Sequence, residues 1–420
     1  MSTLTATATS SGLFGWWRAG TPEAHRALIA AGLGWMLDAF DVMLYALVLA
    51  SLMSDLNIAK DVAGLLGSVT LVASALGGMI FGVIADRFGR TRALMGSIII
   101  YSVFTAACGF AQNVWQLAVF RILLGIGMGG EWASGAALVS ETWPAEHRGK
   151  ALGFMQSAWA IGYAAAAIVT WIVMPIWGWR AVFFVGVLPA FFTIWVRRAV
   201  KEPELWQRAR QSKNVERSVG LSAIFRGSLL PLTVAVTLMN ACTMFAWWGF
   251  NLWIPAYLSL PVASGGVGLT TAAMSGFIVA MQVGMWFGYV TFGFVSDALG
   301  RRRTYLVYLC TAAVLIFLYG RTANATTLLL LGPFVAFFGT GYFSGFGAVT
   351  AEIYPTAIRA TAQGFTYNIG RVASAIAPFA VGSLAQTQGF GVALSLASVA
   401  FLLAAVAWIW IPETRGRALA

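Results

Sequence analysis

Twelve apolar runs of 17 to 30 residues follow one another along the chain, near 27–53, 62–84, 93–112, 115–142, 150–173, 178–199, 229–258, 270–296, 304–320, 326–351, 360–385 and 390–411. An α-helix rises about 1.5 Å per residue and the hydrocarbon core of a bilayer is about 30 Å thick, so about 20 such residues cross it. In lipid each backbone N–H and C=O must be satisfied within the protein, which a helix does by itself. The runs therefore predict an all-α integral membrane protein with twelve transmembrane helices. Composition bears this out: 59% of the 420 residues are apolar and 10% are charged, against about 25% charged in soluble domains. A soluble enzyme and a disordered chain are both excluded.

The net charge of +11 would suggest a nucleic-acid surface in a soluble protein, so the placement of the basic residues decides its meaning. With the N-terminus inside, 21 of the 26 Lys and Arg fall in cytoplasmic segments, Lys60, Arg180 and Arg321 fall outside, and Arg121 and Arg371 lie within spans. This is the positive-inside pattern. It predicts a multi-pass protein of the cell (inner) membrane with both termini cytoplasmic and no nucleic-acid partner. Residues 1–25 lack the apolar core of a cleavable signal, so the mature chain is expected to start at Met1, with LFGWWR at 13–18 as an interfacial anchor. Cys108, Cys242 and Cys310 lie within spans and are expected as packing residues, not disulfides. No metal site or cofactor is expected, and no Walker-type phosphate loop is present.

The chain repeats itself. GVIADRFGRTR from Gly82 and GFVSDALGRRR from Gly293 match at an offset of 211, and the same offset relates Glu141, Pro144 and Arg148 to Glu352, Pro355 and Arg359. KEPE at 201–204 and PETRGR at 412–417 close the two halves, with their prolines 209 apart. Two six-helix bundles are therefore predicted, 27–199 and 229–411, with a cytoplasmic segment at 1–26, a cytoplasmic linker at 200–228 and a tail at 412–420. Parallel repeats facing each other across the membrane normal form the layout of alternating access, with the substrate between them.

Asp86, Arg90 and Arg92, with their mates Asp297, Arg301 and Arg303, flank tight turns at Gly89 and Gly300. These acids and arginines can pair with helix ends or with the other half in one state only, which makes a latch. Glu141, Arg148, Glu352 and Arg359 can bridge to that motif, so the gating set reads Asp86, Arg90, Glu141, Arg148, Asp297, Arg301, Glu352 and Arg359. The G-x-x-x-D-R-x-G-R loop and its echo resemble the signature of the major facilitator superfamily, and R-x-x-x-G-x-G-x-G from Arg121 resembles its fourth-helix motif. DAFD in the first span, GGEW after the glycines and WGWRAVFFVGVLP at 177–189 are similar to sialate and related carboxylate/proton symporters, near the aromatic-acid and metabolite symporters. That resemblance implies twelve helices, transport rather than enzymatic activity, and pairing between spans 1 and 4.

A charge at bilayer depth costs at least about 2.5 to 3.5 kcal/mol on insertion scales, so charges retained there are functional candidates. Asp38 and Asp41 lie about 60° apart on one helical face, Arg121 and Glu131 lie on span 4, and Arg371 lies on span 11. Asp41 is read as the proton acceptor with Arg121 as its partner, and Asp38 and Glu131 in support; a static buried ion pair is the structural alternative. Arg371 has no acid in its own helix, and its planar fork suits a carboxylate, with Tyr367 and Asn368 adjoining; alternatively it pairs across the cavity with Glu131 or an aspartate. Gln156, Trp159, Asn251, Gln282 and Tyr342 are further candidates for the substrate site. The function predicted is uptake of a small organic carboxylate with a proton by alternating access, in a chain working as a monomer. A drug/proton exporter is the alternative, but span 5 lacks the antiporter pattern G-x-x-x-G-P-x-x-G-G. A non-transporting membrane sensor would need a larger cytoplasmic output segment.

Overall fold

The computed structural model describes residues 15–144, 147–199, 202, 224–227 and 229–415. Most of the expected linker and the ends of the chain thus lie outside the described residues. The first half runs through Pro22–Leu56, Lys60–Phe88, Arg90–Cys108 and Val114–Thr142 (spans 1 to 4), then Arg148–Val185 and Leu188–Ala199. The last two hold spans 5 and 6. The turn between them is not the loop expected at 174–177: the helix continues through Pro175 to Gly178, where φ 75° and ψ 178° reverse the chain, a conformation that glycine tolerates. The second half runs through Leu229–Ser259, Thr271–Leu299 and Arg301–Tyr319 (spans 7 to 9), Ala325–Thr340 with Phe343–Ile353 (span 10), Thr356–Ser374 with Ala377–Thr387 (span 11) and Phe390–Ala407 (span 12).

Ten of these helical stretches are long and apolar enough to cross a membrane by themselves. The stretch Gly149–Val196 crosses twice, and span 11 is too polar in its first half to register, which restores twelve.

The two halves are built alike down to single contacts. A Cβ on Gly77 would overlap the carbonyl of Ile126, and one on Gly288 would overlap that of Phe337, residues again 211 apart. The fourth-helix glycines have the same use: Gly125 and Gly129 lie against the backbone of span 2 at Thr70 and Ser74, and Gly127 against span 3 at Tyr101. Asn113 and Asn324 cap spans 4 and 10 by accepting from Gln116 N at 2.9 Å and Thr327 N at 3.0 Å, as N-cap residues do.

Gly89 (φ 118°) and Gly300 (φ 96°) make the turns before spans 3 and 9. The arginines expected just ahead of these spans lie inside their first turns, because each helix start is closed by a distant carboxylate. Glu202 accepts from Thr91 N at 3.2 Å and Arg92 N at 3.3 Å, and Glu413 from Arg301 N at 2.9 Å and Arg302 N at 3.1 Å. These glutamates are 211 apart, so the closing segments align on their acids and not, as expected, on their prolines. A side chain on either glycine would strike the capping carboxylate.

Spans 5 and 8, 2 and 11, and 1 and 7 join the halves. The first two pairs exchange under the repeat, giving a pseudo-two-fold interface. Among the described residues, the hydrogen bonds between the halves all lie at or toward the end of the bundle away from the arginine-rich turns, here termed the far face. Lys60 Nζ donates to Ser264 O at 2.8 Å and Ala385 O at 3.3 Å, Lys60 N to Gln386 Oε1 at 3.3 Å, Phe379 N to Ser68 Oγ at 3.2 Å, and Tyr163 Oη to Asn251 O at 3.3 Å. Gly64 and Gly382 let spans 2 and 11 meet backbone to backbone there. The far face is closed.

Candidate functional site

Between the halves lies a partly open cavity of about 410 Å³, including the solvent space at its mouth, lined from the first half by Trp35, Met128, Gln156 and Trp159, and from the second by Met244, Trp247, Trp248, Tyr289, Phe343, Tyr367 and Arg371. Seven of these are aromatic. Ring centroids lie 4.7 Å apart for Trp35 and Trp159, 5.5 Å for Trp159 and Trp247, and 4.8 Å for Trp247 and Trp248, spacings at which aromatic rings pack edge to face. Arg371 is the one cation among the lining residues. It stands in the last turn of Thr356–Ser374, where the helix breaks and its free carbonyl ends favour a positive charge.

The buried acids gather beside it. Asp38 and Asp41 are 1% exposed and Glu131 is 0% exposed. Glu131 Oε1 lies against Gly34, one turn before Asp38, at a spot where a Cβ would stand 2.5 Å away. Asp38 and Glu131 act on each other electrostatically, and the charge of Arg371 acts on both. Asp41 lies deeper, beside Ser102 and Thr105 of span 3. Among the described residues, Asp38 Oδ2 and both carboxylate oxygens of Glu131 form no hydrogen bond, and the nearest donors to Asp41 are the hydroxyls of Thr105 and Ser102. Tyr101, fully buried with its hydroxyl 3.5 Å from Gly34 O, stands among all three acids.

Arg121 does not hold its expected partner. Its guanidinium carbon lies 3.6 Å from the centroid of the Tyr45 ring, its Nε donates to Leu66 O at 3.3 Å, and no described carboxylate comes within ion-pair distance. Tyr45 is one helical turn beyond Asp41 toward the far face, so Arg121 rests a turn away from the acid assigned to it. Four of the expected substrate residues do not line the cavity. Asn368 is exposed and donates to Gly364 O on its own helix at 2.9 Å. Asn251 borders a smaller space of about 240 Å³ behind Trp247 and donates to Trp247 O at 3.0 Å. Tyr342 packs against Phe343 with the rings tilted by 30° and donates to Thr243 O at 3.2 Å. Gln282 is buried, and neither amide atom has a hydrogen-bond partner among the described residues.

The sequence profile of the Major Facilitator Superfamily matches residues 31–290 and 259–420. The chain belongs to this superfamily. Its relatives include a probable 4-methylmuconolactone transporter of Cupriavidus pinatubonensis, 35% identical, with 97% of this chain and 95% of the relative covered. A sialic acid transporter of Escherichia coli is 32% identical, with 92% and 93% covered. Among solved structures, a D-xylose-proton symporter superposes with a TM-score of 0.76 over 94% of this chain and 100% of that one, at 19% identity. The protein is accordingly an integral membrane transporter with the twelve-helix major facilitator fold, and not an enzyme.

In this superfamily member the loop motifs close on themselves within each half. Arg90 Nη2 pairs with Glu141 Oε1 at 2.9 Å, and its mate Arg301 pairs with Glu352 at 2.9 Å and with Asp297 at 2.5 Å. The side chains of Asp86, Arg148 and Arg359 lie outside the described residues. Sequence reasoning did not single out Trp35, Met128, Met244, Trp248, Tyr289, Phe343 or Tyr101. One signal for Trp35 was available: it precedes Asp38 by three residues and shares its helical face. The others, apolar or aromatic residues within apolar runs, carry no mark that distinguishes a cavity wall from packing.

Proposed function

We propose that this transporter carries a small, flat organic carboxylate together with a proton into the cell by alternating access, in the inner membrane with both termini and the arginine-rich turns on the cytoplasmic side. The observation that carries the reading is a single arginine set in an aromatic cavity between the halves and faced by buried acids. A guanidinium binds a carboxylate through two parallel hydrogen bonds, and the surrounding rings offer flat apolar surface. The relatives named for 4-methylmuconolactone and sialic acid agree with an acid as cargo, and the aromatic walls favour a conjugated acid over a polyhydroxylated one.

Proton coupling follows from the charges. Asp38, Asp41 and Glu131 outnumber Arg371, so a substrate carboxylate entering this group adds to an excess of negative charge that protons balance. Asp41 is the acceptor. In the state with the far face closed, Arg121 rests on Tyr45; when the halves rock, it moves one turn and pairs with the ionised Asp41, so that proton release and reopening occur together. Asp38 and Glu131 hold Arg371 between substrate turnovers. The turn motifs, with Asp86, Arg90, Glu141, Arg148, Asp297, Arg301, Glu352 and Arg359, set the rate of rocking, and Gln156 and Tyr367 orient the acid beside Arg371. The test is uptake of benzoate, muconate and sialate into proteoliposomes under an imposed inside-alkaline pH gradient. The reading expects accumulation of a flat acid that collapses with an uncoupler; accumulation indifferent to the gradient for every acid would reject symport.

A further inference from the structure

Among the described residues, Lys60 is the one cation set in the seam between the halves on the far face. Its Nζ donates to Ser264 O at 2.8 Å and to Ala385 O at 3.3 Å, and it stands 5.1 Å from the centroid of the Phe390 ring, within reach of a cation–π contact. All three partners belong to the second half, and all three are uncharged. The neighbouring Asp61 is turned to its own helix start, where Oδ1 accepts from Val62 N at 2.8 Å, and no described acid pairs with Lys60. The other two outer basic residues are engaged within one half, Arg180 with Asp55 at 2.6 Å and Arg321 over the Phe317 ring at 4.6 Å. Access from the far side requires spans 2 and 11 to part, and that movement strips the ammonium of every one of its partners at once. It is then left hydrated at the rim of the opening. A carboxylate suits it better than two neutral carbonyls do, because both partners then carry charge. Ala385 at the rim and Arg371 at the cavity lie 14 residues apart on span 11, roughly 20 Å along the helix, so one line of approach joins the two cations.

We propose that Lys60 is an outer capture site for the substrate carboxylate: its ammonium latches the closed far face onto carbonyls of the second half and, when the halves part, is released to hold the incoming anion at the mouth. This rests on the carboxylate-uptake reading above and goes beyond it. The experiment measures initial uptake of benzoate, muconate and sialate by the full-length protein, inserted in one orientation in phosphatidylcholine vesicles, at low and high ionic strength. Wild-type uptake KM should rise with salt, because screening weakens the pull of an exposed ammonium. Lys60→Met and Lys60→Gln should raise the low-salt uptake KM about fivefold and flatten its rise with salt, with efflux KM unchanged and Lys60→Arg close to wild type. In a Ser68→Cys background, both neutral variants should also speed labelling by a membrane-impermeant maleimide several-fold, since the latch is gone. A wild-type uptake KM indifferent to salt, neutral variants that keep the wild-type KM, or variants that change uptake and efflux KM by one common factor would each overturn the capture site. Unchanged labelling would overturn the latch. Each of these outcomes leaves carboxylate transport standing, whereas uptake of none of the acids by the wild type would overturn both readings.

Discussion

Arg371 and Asn368 stand three residues apart on one helix, and their surroundings separate them: the arginine borders the cavity while the amide is exposed and bonded to Gly364 O. Arg371→Lys keeps a charge but loses the planar fork, so carboxylate affinity should fall about tenfold or more, equivalent to ~1.4 kcal/mol; Asn368→Ala should leave it within about twofold. Binding titrations of both variants check this, and an unchanged affinity in Arg371→Lys would remove the arginine from the site. The intramembrane charges were legible in the sequence because an ionisable residue in an apolar run has no cheap structural use. Their partners were not. The resemblance implies pairing between spans 1 and 4, but the ring of Tyr45, one turn beyond Asp41, competes for the guanidinium, and only packing reveals which neighbour it takes.

At the scale of the helix, spans 3 and 9 start on turns that need glycine twice over. Gly89 and Gly300 have positive φ, and each lies against the carboxylate that caps the following helix. Gly300→Ala should therefore lower thermal stability by several degrees and slow transport, since alanine at positive φ is strained by about 1 kcal/mol or more; a melting curve in detergent matching wild type would contradict this. Burial acts against the charge of Glu413, but the backbone N–H groups of Arg415, Arg301, Arg302 and Thr414 prevail and hold its carboxyl below the usual range. A lowered value of this kind contributes stability at neutral pH that is lost as pH falls through the acid range. The repeat made these turns legible, since a register of 211 residues held through two motifs. The capping role of Glu202 and Glu413 was hidden, because their bonds run to helices more than a hundred residues earlier.

The closed far face is a property of the whole molecule. Gly64 meets Pro378 and Gly382 meets Lys60, so that spans 2 and 11 touch through their backbones. Gly64→Val should hold them apart. A cysteine placed at Ser68, which is buried and accepts from Phe379 N, should then react several-fold faster with a membrane-impermeant maleimide than in the Gly64 protein; equal rates would contradict the closure described here. The repeat predicts two similar bundles but no conformational state, because the contacts that close the far face, such as Gly64 on Pro378 and Lys60 on Ser264 and Ala385, carry no compositional signature.

The coupling of acid to proton is tested most directly by Asp41→Asn in proteoliposomes, with accumulation under a pH gradient measured beside counterflow exchange of the same acid. The account predicts that accumulation falls to the level of empty vesicles while exchange continues, because the cavity and Arg371 are intact and only the proton acceptor is gone. Accumulation equal to wild type would contradict it.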